Sequence, residues 1–126
     1  MNLPELLKQV LDIKGVTSAA IVNDEGFVVE SLTEGDKDLG FVGNVIAGCL
    51  SSTRMLADLL GDGEVTQTMV EYEDGPVLLV PLSASSPESS KTHVMVTTLD
   101  SINTLGRARF QLRKLLPDIS HVASHL

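Results

Sequence analysis

Few residues in this chain have the types and spacing of a catalytic centre. Histidine occurs at 93, 121 and 125, the first within a strand-like run and the others in the tail, with no metal-ligand pattern among them. The serines of "SASSPESSK", residues 83–91, have no His and Asp at readable spacing, and no G-x-S-x-G elbow occurs. Cys49 is the single cysteine. It falls on the core side of a helical pattern, where a thiol is inert rather than nucleophilic, and alone it forms no internal disulfide. "LGDGE" lacks the lysine and spacing of a phosphate-binding P-loop. Asp24, Glu25, Glu30, Glu34, Asp36 and Asp38 form an acidic run with Lys37 as its one basic residue. Its spacing is not that of a calcium loop, so it reads as solvated turns and caps, or else as a contact for a basic partner. No catalytic residue, cofactor or metal is expected, and the chain is not read as an enzyme.

The residues that stand out are instead those of a surface. From 36 to about 60 the pattern predicts a long helix with Asp36 or Asp38 as cap. At 100° per residue, Val42, Ile46, Cys49, Leu50, Thr53, Leu56, Ala57 and Leu60 fall on one face, expected to meet a sheet. The opposite side holds Gly40, Gly43, Asn44, Ala47, Gly48, Ser51, Arg54, Met55 and Asp58. A solvated helix face favours Lys, Glu, Gln and Arg, and glycine there costs up to about 1 kcal/mol relative to alanine. The small residues therefore suggest close approach of another backbone. That is either a dimer or partner seam, or a loop of the same chain packed over the helix.

A second surface is the strand expected over 64–72. Thr66, Thr68, Val70 and Tyr72 share one of its faces, and Val65, Gln67, Met69 and Glu71 the other. The mixture is too apolar for a bare edge and too polar for a doubly buried strand. Pairing with its own copy across a two-fold axis would satisfy the edge backbone; protection by Glu71 and Glu73 alone is the alternative. Of the nine basic residues, Arg54, Arg107, Arg109, Arg113 and Lys114 make five. Arg54 lies on the small-residue face and could reach a partner's carboxylates or phosphates. It is not read as an arginine finger, which needs an exposed, positioned loop. Arg107 to Lys114 read as the outer face of the last helix.

Other elements must hold these surfaces in place. Leu3, Leu6, Leu7, Val10, Leu11 and Ile13 recur at helical spacing, with Pro4 and Glu5 in a first turn and Gly15 as a stop. "VTSAAIVNDEGFVVES" predicts a hairpin turning at 24–26. A second hairpin joins the 64–72 strand to one over 76–82. The loop 83–91 is expected to be the most mobile segment, and "THVMVTTL", 92–99, supplies a fifth strand. A last helix follows, capped by Asp100 or Ser101, with Ile102, Leu105, Ala108, Leu112, Leu115 and Leu116 inward and a stop at Pro117. The order α-β-β-α-β-β-β-α implies an α+β fold, a five-stranded antiparallel sheet with helices against it.

Composition sets the outer bounds. A chain of 126 residues, 43% apolar, suits one domain with a real core. Aromatics are 3%, so the core must rest on aliphatic side chains. A net charge of −8 argues against gripping nucleic-acid backbones or an anionic membrane surface. Neither a signal peptide nor an 18-residue apolar span is evident, so a cytoplasmic protein without membrane insertion is expected.

Taken together, the opening helix before "GVTSAAIVNDEGFVV", the helix "VIAGCLSSTRMLADLLGDGE", the strand pair "VTQTMVEYEDGPVLLVPL" and the closing "HVMVTTLDSINTLGRARFQL" resemble the roadblock family, named for dynein light chains and common as free-standing bacterial and archaeal proteins. The resemblance covers roughly residues 3–117, within a single domain drawn at 1–120 with 121–126 as tail. Parts of the topology are shared with profilin-like domains. The resemblance implies a non-enzymatic homodimer whose third strands pair into one sheet and whose long helices lie side by side across it. Several members bind small Ras-like GTPases on that platform, a bacterial group acts on a cell-polarity GTPase as an activating protein, and others are scaffolds. Some actinobacterial members are encoded alongside a sensor kinase and a small GTPase. The expected function is regulation or scaffolding of a small Ras-like GTPase. The alternative is a signalling or motility adaptor linked to a sensor kinase, and a third class, a ligand sensor, would need an enclosed pocket that the composition does not indicate.

Overall fold

The opening helix, α1 (Leu3–Leu11), starts where the Asn2 side chain accepts the Glu5 N–H at 2.9 Å and Pro4 occupies the first turn. Its Leu3, Leu6, Leu7 and Val10 are buried. The computed structural model describes residues 1–35, 38–40, 42–61, 63–82 and 93–126. Asp36 as a cap and the 83–91 loop as a mobile segment therefore lie outside the described residues.

After α1 come β1 (Val16–Val22) and β2 (Val28–Thr33), joined by a turn in which the Asn23 side-chain oxygen accepts the N–H groups of Glu25 and Phe27 at 3.0 and 2.9 Å. Then follow α2 (Gly43–Leu60), β3 (Thr68–Tyr72), β4 (Gly75–Leu82), β5 (His93–Leu99), a 3-10 turn over Ile102–Thr104 and α3 (Leu105–Ala123). The five strands form one antiparallel sheet in the order β2-β1-β5-β4-β3. The expected order and sheet are thus found, with β2 and β3 as the two edges.

Alternation along the strands sends side chains to two different cores. Ala19, Ile21, Leu78, Leu82 and Met95 pack with α1 and α3 through Leu6, Leu7, Val10, Leu112 and Ile119. Ala20, Val22, Leu79, Val94 and Val96 face α2, which contributes Leu50 fully and Ile46 and Cys49 in part.

Four local expectations need correction. Helix α2 begins at Gly43 rather than near 36, because Asp38 accepts the Gly40 N–H at 2.8 Å and closes a short turn instead of capping a helix. Val42 occupies the cap position with no side-chain hydrogen bond. Strand β3 starts at Thr68, not 64. Ile102 is exposed, since it falls in the 3-10 turn that Ser101 caps through the Asn103 N–H at 3.0 Å. Helix α3 does not stop at Pro117 but continues to Ala123. An interior proline costs a helix about 3 kcal/mol, but this one sits on an exposed side while Ile119 and Ala123 beyond it are buried in the core. Tertiary burial outweighs the local signal.

Candidate protein-binding face

Helix α2 divides into two halves with different surroundings. The first half is seated. Leu50 is 2% exposed, and at Gly43 a Cβ would overlap the carbonyl of Gly26 in the β1–β2 turn. Only glycine lets the helix start so close to that turn. The backbone approaching Gly43 is therefore this chain's own, which corrects its placement on an outward seam. Gly40 is also off the helix, exposed in the turn held by Asp38. Asn44 is exposed beside Gly26.

The second half rises clear of the core. Leu56 is 55% exposed and Leu59 79%, with Met55 and Leu60 also exposed. Leu56 and Leu60 were expected on the sheet face; the structure places them in the open, because the core under α2 draws on that helix no further than Leu50. Among the remaining expected residues, Gly48 has open space where a Cβ would stand, Ser51, Arg54 and Asp58 are exposed, and Ala47 is half-buried. The helix ends at Gly61, whose left-handed conformation (φ 72°) lets its N–H reach the Ala57 carbonyl. A run of Met55, Leu56, Leu59 and Leu60 on a helix surface is the kind of apolar patch that soluble proteins reserve for partners. Periodicity missed Val45 and Leu59, which lie between the two faces it assigned. The signal available was that "MLADLL" is apolar on more than one side, a pattern that calls for burial all round.

Strand β3 lies at the sheet edge, with β4 on one side and, among the described residues, no strand on the other. Thr68 is opposite Leu79, Val70 opposite Val77 and Tyr72 opposite Gly75. Directly opposed residues share a face, so Thr68, Val70 and Tyr72 lie on the α2 side with Leu79. Thr68 and Val70 are half-buried and Tyr72 exposed, whereas Thr66 is exposed and precedes the strand. On the other side, Met69 and Glu71 oppose Leu78 and Pro76. The α2 stripe and one face of the edge strand thus look toward the same side of the molecule.

Among the described residues no group of three His, Cys, Asp or Glu is placed to hold a metal ion, and no helix is long and apolar enough to cross a membrane. Cys49 is a free, half-buried thiol against the α2 core. His121, expected in an unpatterned tail, lies in the last turn of α3 and His125 in the turn just after it, with rings 4.8 Å apart edge to face. On α3, Lys114 lies 4.6 Å over the Phe110 ring, and Arg107 and Arg113 are exposed as expected. Arg109 is not on that outer face: it is half-buried, with its Nε enclosed.

The comparisons agree with this architecture. The Roadblock/LC7 domain model matches residues 3–86, and the chain belongs to that family. Two uncharacterised proteins of Methanocaldococcus jannaschii are each 24% identical over 109 residues, which is 86% of this chain and 89% of theirs. The gliding protein MglB of Thermus thermophilus is similar at a TM-score of 0.78 and 19% identity, over 98% of this chain and 89% of that one. An MglB with tetrameric arrangement gives 0.78 and 19%, over 97% and 88%. At such identities the likeness is one of fold.

Proposed function

We propose that this protein is a non-enzymatic, cytoplasmic homodimer that regulates or scaffolds a small Ras-like GTPase through its paired α2 helices. The observation that carries the reading is the exposed Met55, Leu56, Leu59 and Leu60 stripe on the same side of the sheet as Thr68, Val70 and Tyr72 of an open edge. Antiparallel pairing of two β3 edges requires a two-fold axis normal to the sheet, so both α2 helices come to one face. That places two apolar stripes, with Ala47, Gly48, Ser51, Arg54 and Asp58 beside them, on a continuous platform. A GTPase docked there would have its switch segments held in one conformation by differential binding; the chain itself supplies no nucleophile or base.

Light scattering on a sizing column tests the dimer, and GTP hydrolysis by the Ras-like GTPase encoded nearest this chain, with and without the protein, tests the regulation. A dimer that changes the hydrolysis rate is expected. Ala47→Arg should abolish that change, and a monomer that leaves hydrolysis untouched would overturn the reading. The likeness to a gliding protein supports a second reading, a motility or sensor-kinase adaptor on the same platform. It predicts a stable complex with no change in turnover.

A further inference from the structure

Arg109, and the exposed Arg113 at the rim of the same groove, are not explained by the α2 platform, since they lie on the other side of the sheet. A groove of about 160 Å³ runs between the approach to β3 and helix α3. Gln67 and Val80 form one wall; Arg109, Leu112, Arg113 and Leu116 form the other. Arg109 Nε is buried without a hydrogen-bond partner, and among the described residues no carboxylate pairs with either arginine. A buried guanidinium nitrogen with no acceptor is costly. In a chain of net charge −8, two unpaired arginines beside an open edge mark a place for carboxylates.

We propose that this groove receives Glu71 and Glu73 of a second copy of the chain, locking the register of the β3–β3 pair. The inference rests on the homodimer proposed above and adds its register and its electrostatic contact. Because opposed residues share a face, the two-fold axis must pass through a residue, not between two. An axis at Val70, the middle of Thr68–Tyr72, pairs the whole strand with its copy. Met69 then opposes the partner's Glu71, and Gln67 opposes the partner's Glu73, both on the α3 side of the sheet. Within one chain Glu71 cannot serve, being four residues from Gln67, about 13 Å along the strand. Across the axis the same carboxylates arrive beside the groove that Gln67 lines.

The contact also answers an electrostatic objection to the dimer. Each β3 carries an exposed Glu71, and this register sets it diagonally across from the partner's Glu71 on the same face. Arg109 and Arg113 from both copies offset that repulsion, and a one-residue slip would move the carboxylates to the opposite face.

The test is a charge exchange read by sedimentation equilibrium. The exposed pair Glu71→Arg/Glu73→Arg should weaken the homodimer by about tenfold or more, with a matching effect from Arg109→Glu/Arg113→Glu. Mixed together, the two variants should form a heterodimer in preference to either homodimer, because each then meets the opposite charge. Circular dichroism checks folding; where the Arg109 change unfolds the chain, Arg113→Glu alone replaces it. Variants that dimerise with unchanged affinity overturn the groove and leave the dimer standing. Weakening that mixing does not reverse also overturns it. A monomeric wild type overturns the dimer itself.

Discussion

The two faces of the sheet are built to different standards. Beneath α1 and α3 the packing is continuous, with Leu6, Leu7, Val10, Ile21, Met95 and Ile119 all at or below 1% exposure. Beneath α2 the core is small, and one side chain of an 18-residue helix, Leu50, is fully buried apart from Gly43. The first face stabilises the chain. The second leaves Leu56, Leu59 and Leu60 exposed to water. A helix that lies lightly on its own sheet keeps apolar area available for another molecule.

Substitutions can break that contrast or sharpen it. Leu7→Ala, in the dense core, should cost about 3 kcal/mol of unfolding free energy by urea titration. Gly43→Ala should cost about 2 kcal/mol, since its Cβ meets the Gly26 carbonyl and the helix must shift. A neutral result there would mean α2 is not anchored by that contact. Asn2→Ala removes the α1 cap and should lower stability by about 1 kcal/mol. Leu59→Ser should change unfolding by no more than about 0.5 kcal/mol when measured on dilute protein. The same variant should lose dimer or GTPase binding in a pull-down with the purified partner. If Leu59→Ser instead destabilises the monomer as Leu7→Ala does, the two faces are not different in kind.

Much of this was legible in the residues. The spacing of Leu3, Leu6, Leu7 and Val10 and the hairpin turns are local patterns, and local hydrogen bonding and burial obey them, whereas the alternation of 92–99 did not foretell that β5 is buried on both faces. The half-polar character of β3 also announced an edge, which the strand order bears out. Boundaries were less readable. Asp38 turned its carboxylate to Gly40 rather than to a helix, and Pro117 failed to end α3 because Ile119 and Ala123 reach the core beyond it. Faces were least readable where periodicity alone assigned them. Leu56 and Leu60 repeat with Leu50, but periodicity says which residues share a side, not how far along the helix its neighbour extends.

The sequence by itself determined the elements and their order, because these depend on residue types and short spacings. Only the tertiary structure decided that the close approach at Gly43 is internal, that Leu56, Leu59 and Leu60 stand open, and that Arg109 turns inward beside β3. Each of these depends on which distant segment lies opposite, and that is a property of packing.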